Sequence, residues 1–244
     1  MVRHCAEITP ILQARMGSTR LPGKVLMWVC GSSMLSHIVK RVAGTSRVPS
    51  PKKQFSAALD APYVPQPRWQ PMIVATTINP ADDAIESECM RLGIRCFRGS
   101  EKDVLSRFYE AATECGAQNI MRVCCDNPLL DPKLLSALAI FYYENSYSYV
   151  TNANVPLGMA AEIFTFERLE EAYLYGKKPY HREHVTPFIY ENGVDCGSLK
   201  HEPDLSHLRF TVDTPEDFSF ITEIYENLYE KNPEFGLDEI LSMQ

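Results

Sequence analysis

Ile8-Thr9-Pro10-Ile11-Leu12, running into Gln13-Ala14-Arg15-Met16-Gly17-Ser18-Thr19-Arg20-Leu21-Pro22-Gly23-Lys24, is the stretch that decides the fold. A β-branched apolar run that opens on Gly, Ser and three cations reads as a strand delivering a phosphate-binding loop. Backbone N–H groups of Ala14, Gly17 and Ser18 can approach a polyphosphate there while Arg15, Arg20 and Lys24 neutralise its charge. The spacing contains neither G-x-x-x-x-G-K-[ST] nor G-x-G-x-x-G, which excludes a Walker loop and a dinucleotide fingerprint. A Gly/Ser/Arg loop by itself also fits a solvated turn. Three cations in one loop favour the anion site.

Working outward, apolar runs at Ile8–Leu12, Met72–Thr76, Ile120–Cys125, Tyr147–Thr151 and Leu208–Val212 read as strands. Segments with helical spacing lie among them: Ser33–Val42, Asp82–Leu92, Asp103–Cys115 and Pro132–Asn145. This alternation predicts an α/β chain, a mostly parallel sheet covered by helices. Ligands of such sheets sit beyond the carboxyl ends of the strands, where the loop after Leu12 and Asp126 both fall. Residues 45 to about 71 differ: Pro49, Pro51, Pro62, Pro65, Pro67 and Pro71 punctuate a stretch with no apolar period. It reads as an insertion, a solvated surface excursion in preference to a lid.

At 244 residues the chain suits one large domain with a substantial core. Lys+Arg 24 against Asp+Glu 31 leaves a net charge of −7, which argues against nucleic acid as a partner. A local cationic loop suffices for a small anion. The eight cysteines include no C-x-x-C, so neither a zinc site nor a disulfide framework is signalled, and reduced thiols place the protein in the cytoplasm. No apolar run of about 18 residues is present, so no membrane-spanning segment is expected.

Asp126 and Asp213 each follow an apolar run and precede a proline turn, as Asp126-Asn127-Pro128 and Asp213-Thr214-Pro215. Two carboxylates at strand ends can share a Mg²⁺ ion, which takes one or two carboxylates along with phosphate oxygens and water. Asp213 also fits the start of a helix, and Asp126 an Asx turn. For Asp213 both readings hold if Thr214 caps the helix while Asp213 faces the metal. Tyr180-His181-Arg182-Glu183-His184 lacks the H-E-x-x-H order of a zinc protease.

The pattern A-R-x-G-S-x-R-x-P-x-K over residues 14 to 24 resembles the sugar-activating cytidylyltransferases. The branch most alike is that of the spore-coat polysaccharide biosynthesis proteins, relatives of the acylneuraminate and 3-deoxy-manno-octulosonate enzymes. Phe97-Arg98-Gly99-Ser100 through Arg107, Arg122 through Pro132, Arg182-Glu183-His184-Val185-Thr186-Pro187 and Val212-Asp213-Thr214-Pro215-Glu216-Asp217 follow in the same order. The resemblance implies a single three-layer α/β/α nucleotidyltransferase domain, Rossmann-like with a mixed, mostly parallel sheet. It also implies an arm over about residues 152 to 207 that serves dimerisation and substrate binding. The implied reaction transfers CMP from CTP to a sugar hydroxyl, that of an acidic 2-keto-3-deoxy sugar, with release of pyrophosphate.

The resemblance further implies that Arg15 and Lys24 act on the phosphates. Asp126 and Asp213 would hold Mg²⁺, with Asp126 catalytic. Gly99, Ser100 and Arg107 would line the base and ribose, although Ser100 also fits a helix N-cap. Arg182 and His184 would border the acceptor sugar, although aromatic and Arg residues also suit a subunit contact in the implied homodimer. Cys125 stands where the branch commonly has a small residue, often Gly. A metal-dependent glycosyltransferase is the first rival, disfavoured because no D-x-D occurs near Asp126. A catalytically silent nucleotide-binding protein is the second.

Overall fold

Strand β1 (Glu7–Gln13) runs through the middle of an eight-stranded sheet. The computed structural model describes residues 7–47, 67–193 and 195–243. After β1 the chain forms a short hairpin, β2 (Trp28–Val29) and β3 (Ser32–Ser33), then helix α1 (Met34–Gly44). Next come β4 (Arg68–Trp69), β5 (Ile73–Thr77), α2 (Asp83–Leu92), β6 (Arg95–Gly99), α3 (Val104–Cys115) and β7 (Asn119–Cys124). The second half holds α4 (Pro132–Glu144), β8 (Tyr149–Ala153), β9 (Glu162–Thr165), α5 (Phe166–Tyr175), α6 (Pro179–His184) and α7 (Pro187–Asn192). β10 (Cys196–Lys200), α8 (Pro215–Leu228) and α9 (Leu237–Leu241) complete the order.

The strands lie in the order β10-β8-β9-β7-β1-β5-β6, with β4 pairing the start of β1. β9 runs antiparallel to both neighbours, and the other pairings are parallel. Side-chain alternation along each strand separates two cores. Ile8, Leu12, Val74, Met121 and Val123 face α1, α2, α4 and α8, while Ile11, Ile73, Ile120 and Phe164 face α3, α5 and α7. That is the expected three-layer α/β/α fold.

Local signals agree with the helices. Ser33 caps α1 by accepting from Ser36 N at 3.0 Å, and apolar Leu35, Ile38 and Val42 recur along its buried face. Gly93 and Gly116 end α2 and α3 in the left-handed region, at φ 68° and 66°. Asp131 caps α4 through Lys133 N at 2.7 Å, with Pro132 in its first turn.

Leu208–Val212 is not a strand. It forms one isolated bridge, at Arg209 to the loop residue Leu157, and Val212 N donates to Asp126 O at 2.9 Å. An apolar run alone cannot say whether a ladder partner will be present. β6, β9 and β10 were not expected as full strands, since RCFRG, EIFT and CGSLK are short or polar. Of the expected insertion at 45–71, residues 48–66 lie outside the described residues, Thr45–Arg47 form a helical turn and Arg68–Trp69 form β4. The segment expected as an arm, 152–207, is built into the same sheet: β9 sits between β7 and β8, and α5 and α6 pack on α3.

Candidate functional site

The loop after β1 is folded on itself. The Met16 carbonyl accepts from both Ser18 N and Gly23 N, at 2.8 and 3.0 Å, and Ser18 Oγ accepts from Leu21 N at 3.3 Å. Gly23 has φ 73°, a left-handed conformation that a side chain would strain. This turn aims Lys24 inward, so that its side chain is only 9% exposed. Its ammonium donates to Val212 O at 2.6 Å, to Asp213 Oδ1 at 3.0 Å and to Asp126 Oδ2 at 3.3 Å. One cation thereby joins three segments that are more than 80 residues apart.

Asp213 is the most heavily paired carboxylate of the cluster. Arg20 Nη2 lies 2.9 Å from Oδ1, and Arg209 Nη2 donates to Oδ2 at 2.6 Å. Burial pushes its carboxyl up, but hydrogen bonds from Lys24 and Arg209 outweigh that and hold it below the usual range. Thr214 caps α8 in a capping box with Asp217, whose carboxylate also accepts Asp213 N at 2.8 Å. The two readings of this segment therefore coexist: Thr214 starts the helix and Asp213 turns to the cations.

Sequence reasoning missed Arg209 and, more consequentially, Asp82. Asp82 is buried at the start of α2 and accepts from Met16 N at 2.7 Å, from Thr77 N at 3.1 Å and from Thr77 Oγ1. It moors the loop to the end of β5. Its proximity to the phosphate loop had no local signal, because the contact spans 66 residues. Asp82→Ala would leave two N–H donors without their acceptor and is expected to cost about 2–4 kcal/mol. A thermal melt should show it; an unchanged melt would remove Asp82 from the mooring of the loop.

The remaining expected residues separate into two groups. Arg15 is exposed, with no ion pair among the described residues, and Ala14 is buried. Gly17 faces the β6–α3 connection, where its Cβ would stand 3.7 Å from Glu101 Oε1. The β6–α3 connection thus abuts the loop. Gly99 is demanded by packing, since a Cβ there would sit 2.8 Å from Phe97 Cε1 and 3.1 Å from Arg107 Cγ. Ser100 is not the N-cap of α3; Asp103 is, and Ser100 Oγ accepts Asp103 N at 3.1 Å. Arg107 is fully buried and donates through Nη1 to Ser100 O at 2.7 Å. Burial, then the nearby Arg15, pull its guanidinium down to about 10.

Arg182 and His184 are not brought to the Lys24 cluster. Arg182 is spent on Asp103, at 2.8 Å from Nε, and on Tyr173 O at 2.9 Å, clamping α6 to the start of α3. His184 is exposed against the Tyr180 ring at 4.7 Å, whereas His181 turns to Glu191 at 3.0 Å. The two histidines diverge, and among the described residues no group of three His, Cys, Asp or Glu side chains could hold a metal. Burial pushes the Cys124 and Cys125 thiols up, which disfavours a thiolate nucleophile.

Asp126 and Asp213 fit Mg²⁺ by chemistry: two hard carboxylates face one cationic position, the Lys24 ammonium standing between them. Among the described residues no helix is long and apolar enough to cross a membrane.

Known proteins resemble this chain over most of its length. The family model described as Cytidylyltransferase matches residues 9–50 and 52–238. An uncharacterized protein of Methanocaldococcus jannaschii is 36% identical over 225 residues, covering 91% of this chain and 84% of that protein. The spore coat polysaccharide biosynthesis protein SpsF of Bacillus subtilis is 29% identical over 242 residues, covering 97% and 93%. A solved cytidylyltransferase structure from Leptospira borgpetersenii superposes with a TM-score of 0.82 at 28% identity, over 98% of this chain and 93% of that one.

Proposed function

The chain belongs to the cytidylyltransferase family, and on that premise we propose that it transfers CMP from CTP to the hydroxyl of an acidic 2-keto-3-deoxy sugar. The acceptor oxygen bonds to the α-phosphorus, the bond to the β-phosphate oxygen breaks, pyrophosphate leaves and the hydroxyl proton passes to water. The observation that carries this reading is the Lys24 ammonium set between Asp126 and Asp213 at the mouth of a cationic loop.

Each residue's part follows from its placement. Among the described residues the N–H groups of Gly17, Thr19 and Arg20 have no protein partner, so they are free to cradle phosphate oxygens. Arg15 and Arg20 sit exposed at the same loop and offset the triphosphate charge. Lys24 is held in place by its three acceptors, and its positive charge there offsets charge developing on the phosphates. Asp126 and Asp213 would hold Mg²⁺, which when bound neutralises phosphate charge and favours departure of pyrophosphate. Ser100 borders the loop where the base and ribose would sit, with Gly99 and the buried Arg107 packed behind it.

A homodimer belongs to the same reading. Leu174, Tyr175, Tyr180 and Tyr190 are all exposed on α5–α7, within the segment read as the arm. A polysaccharide or glycan precursor is the product class, in line with the name of the Bacillus relative. The test is pyrophosphate release with Mg²⁺, each of CTP, UTP, GTP and ATP, and a sugar panel. Release is expected with CTP and a 2-keto-3-deoxy acid together. Release that prefers another nucleotide, or none with any pair, would sink the reading.

A further inference from the structure

The sheet face covered by α3, α5 and α7 is apolar along the row Ile120–Phe164–Tyr149, but turns polar one row nearer the phosphate loop. There Arg122 stands opposite Glu162, which in turn stands opposite Thr151. Arg122 Nη1 donates to Glu162 Oε2 at 2.6 Å, while Nη2 reaches Gln13 Oε1 only at 3.4 Å. The Tyr149 hydroxyl donates to the other oxygen, Glu162 Oε1, at 2.6 Å. Burial, then Glu162, push the Tyr149 hydroxyl up, so it stays a donor. Arg122 Nε has no partner among the described residues.

This pair is costly where it stands. Apolar residues of similar volume would fill a buried sheet face at least as stably as an ion pair. The pair is also not sealed off: the Arg122 and Glu162 side chains keep 15% and 16% of their exposure. Its position joins it to the chemistry. Gln13 directly precedes the loop, and Arg122 lies four residues before Asp126 on the same chain segment.

Resting on the cytidylyltransferase reading, we propose that Arg122 and Glu162 are specificity-determining residues of the acceptor pocket, recognising a neutral hydrogen-bonding part of the sugar, a diol or an acylamino group, and not its carboxylate. Glu162 compensates the Arg122 charge, so an incoming carboxylate meets no net positive field and faces a like charge. A hydroxyl or amide suits the pair: it donates to a spare lone pair of Glu162 and accepts from Nη2 in place of the long bond to Gln13.

The test compares binding of N-acetylneuraminate, 3-deoxy-manno-octulosonate and 2-ketobutyrate, the last a keto acid with no hydroxyl or acylamino group, to the full chain with CMP present. Ligand-observed NMR reads it without turnover. Wild type should bind at least one of the two sugars and discriminate against 2-ketobutyrate. Glu162→Gln should weaken that sugar roughly 10- to 100-fold, the loss of one hydrogen bond to a charged group. It should tighten 2-ketobutyrate, because Arg122 loses its counter-charge, and leave CMP affinity within about 2-fold. Equal binding of all three by wild type, no sugar binding, or equal weakening of sugar, 2-ketobutyrate and CMP in the variant would overturn the proposal. If Glu162→Gln does not fold, the wild-type comparison still decides. Glu162-dependent sugar binding without pyrophosphate release would leave this assignment standing and count against the transferase reading alone.

Discussion

Lys24→Ala is expected to lower turnover by roughly 10²–10³-fold, the usual loss when one pre-organised charge contact to a transition state is removed. The ammonium is held by three acceptors before any substrate arrives, so its charge is already in position at the loop. Stability should fall as well, by about 1–3 kcal/mol, because Val212 O loses its charged donor and two carboxylates lose the cation between them. Arg20 and Arg209 remain paired with Asp213. Arg15→Ala is the companion variant: the side chain is exposed, so a comparable loss of turnover should come with an unchanged melt. Circular dichroism melts and a pyrophosphate assay separate the two effects. Near-normal release by both variants would take the loop out of the mechanism.

Asp126→Asn and Asp213→Asn should each raise the Mg²⁺ concentration needed for half-maximal rate and cut turnover, since an amide is a poorer ligand for a hard cation. On the proposed shared Mg²⁺ site the two losses should not multiply, because both would act through one ion and one lysine. A double variant that loses the product of the single losses would disprove the shared site. The structure adds an asymmetry. Among the described residues Asp213 is paired to Lys24, Arg20 and Arg209 and Asp126 to Lys24, so Asp213→Asn should lower the melting temperature further.

Residues whose meaning is local were legible from the chain. The helical segments Ser33–Val42, Asp82–Leu92, Asp103–Cys115 and Pro132–Asn145 and the strand that feeds the cationic loop all depend on neighbours within a few positions. The carboxylates of Asp126 and Asp213 were legible for the same reason, each sitting at the end of an apolar run before a proline turn. The expectation for Leu208–Val212 failed because a strand is defined by its partner, and this segment meets a loop.

From its sequence alone this protein's layered α/β fold and the composition of its loop follow, because side-chain periodicity, turn chemistry and charge are properties of contiguous residues. Tertiary structure decided which charges meet. Lys24 could have reached solvent; the turn at Gly23 and the packing of residues 208–213 against Asp126 bury it between two carboxylates. Arg182 pairs with Asp103, 79 residues earlier, a contact that chain order does not announce. Asp82 and the Arg122–Glu162 pair had no signal at all, since a hydrogen bond is fixed by distances of about 3 Å that chain order does not encode.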